Sequence, residues 1–182
     1  MKATGITRHV DELGRIVIPK EIRNNLDIDV NDLLEIYVDN EKIILEKSSK
    51  LKKINNVIEK YLSSFYQVIK REIIICEDEN IIGTTRNLRS SLYNKKISLE
   101  LKDILNKYSY SNEPKLINII NGENKYYFIY TSINVDGAKV GDVLFLSLNN
   151  DFSLIDNKMI TLLGNLFSSY LKYWCKIYKK MM

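Results

Sequence analysis

The chain has 182 residues, of which 45% are hydrophobic and 27% charged, with a formal net charge of +4 at pH 7. That is the balance of a globular protein of one domain or two small ones, and no apolar run approaches the ~18 residues of a membrane helix. Met1-Lys2-Ala3-Thr4-Gly5 has no apolar stretch after its charge, unlike a signal peptide, so a cytoplasmic protein is expected. One histidine, His9, and two isolated cysteines, Cys76 and Cys175, supply neither zinc-ligand spacing nor a nucleophile with its base. No metal, cofactor or enzymatic activity is expected.

Charge is unevenly placed. Residues 1–52 hold nine Lys and Arg against ten Asp and Glu, a net −1, whereas residues 53–182 hold eighteen against thirteen, a net +5.

From the N-terminus, Thr4 to Val10 and Arg15 to Pro19 read as short strands about a tight turn at Asp11-Glu12-Leu13-Gly14. Gly14 can take the positive φ of such a turn, and Pro19 ends the strand because it has no N–H to donate. Lys20 to Leu26 follows as a short helix with Ile22 and Leu26 on one side. Leu33 to Val38 and Lys42 to Glu46 flank Asp39-Asn40-Glu41 as a second hairpin, so the unit reads β-β-α-β-β. Some 48 residues bury little apolar surface, yet Ile16-Val17-Ile18 is apolar on both faces of its strand. Two chains interleaving their hairpins into one barrel would cover both faces.

Leu51, Ile54, Ile58, Tyr61, Phe65 and Val68 are spaced 3, 4, 3, 4, 3, which predicts a helix over 50–70. Its apolar stripe has two uses, packing on its own domain or joining chains, and the spacing leaves both open. Glu72 to Cys76 and Ile81 to Thr84 read as a hairpin, and Ser98 is a capping residue for a helix reaching Tyr108. Strands are expected at Leu116–Ile120, Tyr126–Val135 and Lys139–Leu148, separated by Asn121-Gly122 and Asp136-Gly137. A last helix over 152–179 turns Leu162 and Leu166, among others, toward a core or partner. This order fits an antiparallel sheet flanked by helices, an α+β domain.

Three groups of residues could carry function. Lys2, Arg8, Arg15, Lys20 and Arg23, with His9 beside Arg8, are the basic residues ahead of the second hairpin, with Arg8 and Arg15 bracketing one turn and Lys20 and Arg23 at i and i+3 on one helix side. Guanidinium groups suit phosphates and guanine edges through paired donors, although Asp11, Glu12 and Glu21 intersperse the set. Arg86, Arg89, Lys95 and Lys96 form a second cluster, readable as a solvated loop or an anion contact. Tyr126-Tyr127-Phe128 reads as core or pocket packing rather than base stacking.

The run Met1 to Ile6, then Asp11-Glu12-Leu13-Gly14-Arg15-Ile16-Val17-Ile18-Pro19-Lys20-Glu21-Ile22-Arg23 and Leu34 to Asp39, resembles the AbrB family of transition-state regulators, most closely its longer SpoVT-type members. The resemblance implies an AbrB-like swapped-hairpin β-barrel formed by two chains over 1–48, a linker or dimerisation helix over 49–71 and a GAF-like sensor or oligomerisation domain over 72–182. It implies a sporulation-stage transcription regulator associated with the nucleoid, binding double-stranded DNA through Lys2, Arg8, His9, Arg15, Lys20, Arg23 and Asn24. Dimers would form through the barrel and tetramers through the second domain, with Ile54, Ile58, Tyr61, Phe65, Leu162 and Leu166 between chains. Room for an unidentified small ligand in the GAF-like domain stays open. An antitoxin or interaction protein using the same barrel is the alternative. His9, Asn24, Asp27 and Asp29 stand where the family pattern has cations, and Asn31 where it has glycine, which points to weaker phosphate binding.

Overall fold

The computed structural model describes residues 5–26, 28, 30, 34–122 and 124–181. Two compact units result, Met1–Ser48 and Ser49–Met182.

In the first unit the Asp11 side chain organises the turn. Its Oδ1 accepts the N–H of Leu13 at 3.0 Å and of Arg15 at 2.8 Å, while Gly14 takes φ +76°. The backbone closes from Asp11 N–H to Arg15 O at 3.0 Å. The arms on either side, 5–10 and 16–19, form no strand in the single chain. That corrects the expected first hairpin: two short arms joined by a turn, with solvent on both sides, gain too little to hold a ladder. After Pro19 comes helix α1, Lys20–Asn25, then the antiparallel pair β1, Leu34–Asp39, and β2, Lys42–Lys47, with Val38 opposite Ile43 and Asn40 at φ +52° in the turn.

None of the described residues of this unit is buried. Val17, Ile36, Val38 and Ile43 remain 74%, 69%, 77% and 68% exposed. A single chain therefore has the elements of a domain without its core.

The second unit has both. A 3-10 turn at Lys52–Ile54 leads into α2, Asn55–Ile69. β3, Glu72–Glu77, and β4, Asn80–Thr84, follow as a hairpin. A second 3-10 turn, Arg86–Leu88, and the one-turn helix α3, Arg89–Leu92, occupy the basic stretch that composition alone makes readable as a loop. Then come α4, Leu99–Lys107; β5, Tyr110–Asn118; β6, Lys125–Val135; β7, Ala138–Ser147; and α5, Leu154–Met181. The strands pair antiparallel in the order β4-β3-β7-β6-β5.

Ile73 and Ile75 point to one face of β3, Ile74 and Cys76 to the other, and all four are buried because β3 and β7 are covered on both sides. On the first face α2 and α5 contribute Ile58, Leu62, Leu163, Phe167 and Leu171. On the second, Leu88, Leu92, Leu101 and Leu105 pack on Phe128, Tyr130 and Leu144. β5 begins six residues before the expected Leu116, since an edge strand tolerates Pro114 at the irregular register between Ser111 and Lys115. Ser98 caps α4 by accepting the N–H of Leu101 at 3.2 Å.

The stripe on α2 belongs to this interior. Leu51, Ile54, Ile58 and Phe65 are buried in their own unit and Tyr61 meets the Phe167 ring edge-on at 5.7 Å, whereas Val68 is exposed. The seam expected between chains is therefore, for Ile54, Ile58 and Phe65, core of one chain: a second chain cannot reach them without opening it. Leu162 remains 47% exposed on α5 and Leu166 is half-buried.

Candidate nucleic-acid interface

In the first unit, residues 5–8, 17–21 and 23 line an open groove of about 640 Å³. Arg8, Lys20 and Arg23 line it, with Glu21 as the carboxylate among its walls and Ile6, Val17, Ile18 and Pro19 as its apolar surface. Three cations against one anion leave this concavity positive in a unit that is not positive as a whole. Pro19 helps set it up, since its extended backbone at φ −57°, ψ 145° turns the chain into α1 and aims the first turn's Lys20 and last turn's Arg23 along one side. Arg8 Nη1 donates to the carbonyl of Thr7 at 2.8 Å, which uses one of the five N–H donors of its guanidinium.

Arg15 is placed differently from the expectation that it would emerge beside Arg8. Its Nε lies 2.7 Å from Asp11 Oδ2, and it is absent from the groove walls. The Arg15 N–H and then its guanidinium hold the Asp11 carboxyl below the ordinary carboxylate range. His9 and Asn24 are exposed beside the groove-lining Arg8 and Arg23 in sequence, without lining the groove themselves. Lys2, Asp27, Asp29 and Asn31 lie outside the described residues.

The second basic cluster is largely neutralised. Arg89 pairs with Glu59 at 2.7 Å and its guanidinium stacks 4.7 Å from the Tyr93 ring centroid; Lys96 is 3.3 Å from Glu79, which Lys102 also binds. Tyr126 and Tyr127 are half-buried and Phe128 is buried, as packing residues would be.

Two polar networks in the second unit escaped the sequence. Asp142, buried between strands, accepts Ser132 Oγ at 2.8 Å and pairs with Lys139 at 2.8 Å; Lys139 reaches on to the carbonyl of Leu105 at 2.6 Å, tying β7 to the end of α4. Burial pushes the Asp142 carboxyl up, while Lys139 and Ser132 pull it down. Arg71, just after α2, binds Asp156 and Asp151 at the start of α5, at 2.9 and 2.7 Å. The spacing Lys139-x-x-Asp142 and the capping signature Ser153-x-x-Asp156 were the available signals. Both networks are satisfied from within and hold the fold.

Comparison with known proteins agrees with the two-unit division. A family model described as Antidote-toxin recognition MazE, bacterial antitoxin, matches residues 7–53, and one described as Stage V sporulation protein T C-terminal, transcription factor, matches residues 53–168. Over 165 residues the chain is 32% identical to the stage V sporulation protein T of Bacillus subtilis (strain 168), covering 88% of this chain and 93% of that protein. Over 47 residues it is 68% identical to the transition state regulatory protein AbrB of the same organism, covering 26% of this chain and 49% of that protein. Among solved structures, the N-domain of the transcription factor AbrB shares 65% identity with 27% of this chain, over 94% of its own length, with a TM-score of 0.26.

Proposed function

The chain belongs to the stage V sporulation protein T family of transcription factors, and from that premise we propose that it is a homo-oligomeric regulator of sporulation-stage genes that binds double-stranded DNA through its first unit. The observation that carries this reading is the positive groove holding Arg8, Lys20 and Arg23 in the segment that matches the AbrB regulator at 68% identity. A groove of mixed charge and apolar surface, with donors at its rim, suits a sugar-phosphate backbone, and the duplication of the set in a dimer suits a two-fold DNA site. Arg15, held by Asp11, stiffens the turn rather than reaching the groove.

The second copy needed for this arrangement is the natural occupant of the uncovered faces of the first unit. Interleaved hairpins from two chains would supply the ladder that 5–10 and 16–19 lack and would cover Val17, Val38 and Ile43. The antitoxin reading is the weaker of the two, because residues 53–168, an ordered sheet-and-helix unit, match a transcription-factor model.

Binding measured across salt tests the reading. Each contact between a groove cation and a phosphate should add ~0.9 to the slope of log affinity against log salt, and replacing Arg8, Lys20 or Arg23 by Ala should flatten the slope by about that amount. A side chain that reads a base would instead cost ~1–3 kcal/mol and relax preference at one position. If all three variants bind every fragment as the parent does, the groove is not the DNA surface.

The second unit is read as a GAF-like oligomerisation module that joins dimers into tetramers through the face of α5 bearing Leu162 and Leu166. Leu162→Asp with Leu166→Asp should halve the mass seen by light scattering while leaving the far-ultraviolet circular dichroism unchanged. An unaltered mass would place the assembly surface elsewhere.

A further inference from the structure

The polar side chains on the walls of the groove in the first unit are Thr7, Arg8, Lys20, Glu21 and Arg23. Arginine and lysine only donate hydrogen bonds, a threonine hydroxyl donates or accepts, and an ionised glutamate only accepts. Glu21 is therefore the accept-only side chain of this set. It is exposed, and among the described residues its carboxylate has no hydrogen bond or ion pair, although three cations line the same groove. The contrast is Asp11, whose carboxylate takes the Arg15 guanidinium at 2.7 Å and the N–H groups of Leu13 and Arg15 at 3.0 and 2.8 Å.

On a surface that meets only phosphates, an unpaired carboxylate is a cost. The first unit, 1–48, already carries seven Lys and Arg against ten Asp and Glu. Its sequence-independent attraction for DNA is weak for that reason, and contacts with base edges carry a larger share of its binding. Glu21 lies in the first turn of α1, where negative charge complements the helix dipole. That accounts for a carboxylate in this turn, but not for its place on the groove wall among the cations.

An acceptor in the major groove has two kinds of base partner, the N4 amino group of cytosine and the N6 amino group of adenine. The adenine amino group stands between two acceptors, its own N7 and O4 of the paired thymine, and both repel a carboxylate. The cytosine amino group has one such neighbour, O6 of the paired guanine. That guanine presents O6 and N7 to the fork of an arginine, and Arg8 and Arg23 line the same groove as Glu21. A carboxylate on cytosine beside a guanidinium on guanine matches the donors and acceptors of one base pair.

We propose that Glu21 determines specificity: its carboxylate accepts a hydrogen bond from the N4 amino group of a cytosine and makes the groove prefer a C·G pair at that position. This rests on the DNA-binding reading above and assigns the base that the groove reads. Elsewhere along a duplex the same charge meets phosphates and base acceptors with no amino group to accept from, which disfavours wrong sites.

The full-length parent and the variants Glu21→Gln and Glu21→Ala are each used to select duplexes from a randomised pool. Affinities are then measured by fluorescence anisotropy on the parent's preferred duplex and its single base-pair replacements. The parent should favour one C·G pair over T·A by about 5–150-fold, as expected for a base contact. Glu21→Ala should flatten that preference to within about twofold. Glu21→Gln should move it toward A·T, because an amide pairs with both N6 and N7 of adenine. Both variants should bind duplexes that lack the site about threefold more tightly than the parent does, the relief of a carboxylate ~6 Å from a phosphate in water. One measurement needs no variant. Where the cytosine is replaced by 2-pyrimidinone, which pairs with guanine but lacks the amino group, the parent should bind as weakly as it does with T·A there. Unchanged preference in both variants, or full parental affinity for the 2-pyrimidinone duplex, overturns the inference and leaves the DNA-binding reading standing. A preference lost at an A·T pair instead overturns the assignment to cytosine. A halved mass by light scattering in Glu21→Gln assigns the carboxylate to a contact between chains and overturns the inference as well. Should the parent bind no duplex, the DNA-binding reading falls and this inference with it.

Discussion

Replacing Arg71 by Met is expected to lower the stability of the second unit by about 3–5 kcal/mol, the cost of leaving one partner of a buried ion pair alone. Arg71 Nε and Nη2 donate to the two carboxylate oxygens of Asp156 at 2.9 and 3.3 Å, and the Arg71 and Asp156 side chains are only 16% and 6% exposed. The same guanidinium donates to the side chain and carbonyl of Asp151, each at 2.7 Å, and stacks 5.1 Å from the Phe152 ring centroid. One side chain after α2 thus fixes the entry to α5, where Ser153 and Asp156 cap each other through 2.7 and 3.3 Å hydrogen bonds. Arg71→Lys should recover only part of the loss, since an ammonium cannot bind both oxygens in a fork. Adding Asp156→Asn to Arg71→Met should recover more, because the stranded charge is then gone. The pH dependence carries a sign. Burial pushes the Asp156 carboxyl up, but Arg71 and Ser153 outweigh it and hold the group below its ordinary value. Its contribution in the parent is therefore present above the unfolded carboxylate pKa of ~3.9 and lost as pH falls through the lower folded value. Without Arg71 the carboxyl loses one of the partners that hold it down while its burial stays, so protonation costs the variant less than the parent. Urea unfolding of both should show the gap widest near neutrality and narrowing below about pH 4; a gap that stays constant with pH would mean that Arg71 acts through packing alone.

What the sequence made legible was local. The Asp11 to Gly14 turn, the Ser98 cap and the Asp136-Gly137 hairpin each follow from residues within four positions of one another, and the structure has them: Gly14 and Gly137 take φ +76° and +83°. What stayed hidden depends on distance along the chain. Arg71 and Asp156 are 85 positions apart, so nothing near either residue marks the pair. The stripe on α2 misled about its partner for a related reason: spacing shows that Ile58 and Phe65 share a face, but not whether that face meets a second chain or the sheet of its own. The groove was half legible. Lys20 and Arg23 share a side of α1 by helical spacing, whereas Arg8 joins them only through the path of the backbone, and the attraction of Asp11 for Arg15 turned the fourth cation away.

Substituting Val38→Asp together with Ile43→Asp is expected to abolish pairing of chains through the first unit, and to weaken DNA binding with it. The two residues face each other across β1 and β2, and Ile36 and Leu45 continue the same strip, with Tyr37 and Ile44 on the opposite face. Val38 and Ile43 are 77% and 68% exposed in the single chain, so the unit has no interior of its own to lose. In a dimer four such side chains would be covered, and burying each is worth ~1.5–3 kcal/mol, or about 6–12 kcal/mol in all before any cost of desolvating the new carboxylates. That is the greater part of the ~8–12 kcal/mol of a dimer with micromolar to nanomolar affinity, so the substituted hairpins have too little left to associate. The secondary structure of the second unit should be untouched, because its core is complete in one chain. Light scattering should then find half the parental mass if the α5 face still joins two chains. With only one groove per binding unit, the slope of log affinity against log salt should fall to about half. A control at Glu46, exposed on the same strand, changed to Ala should leave mass and binding as in the parent. Should the doubly substituted chain keep both the parental mass and the parental salt slope, the hairpin strip does not join chains, and the first unit must bind DNA as a single copy.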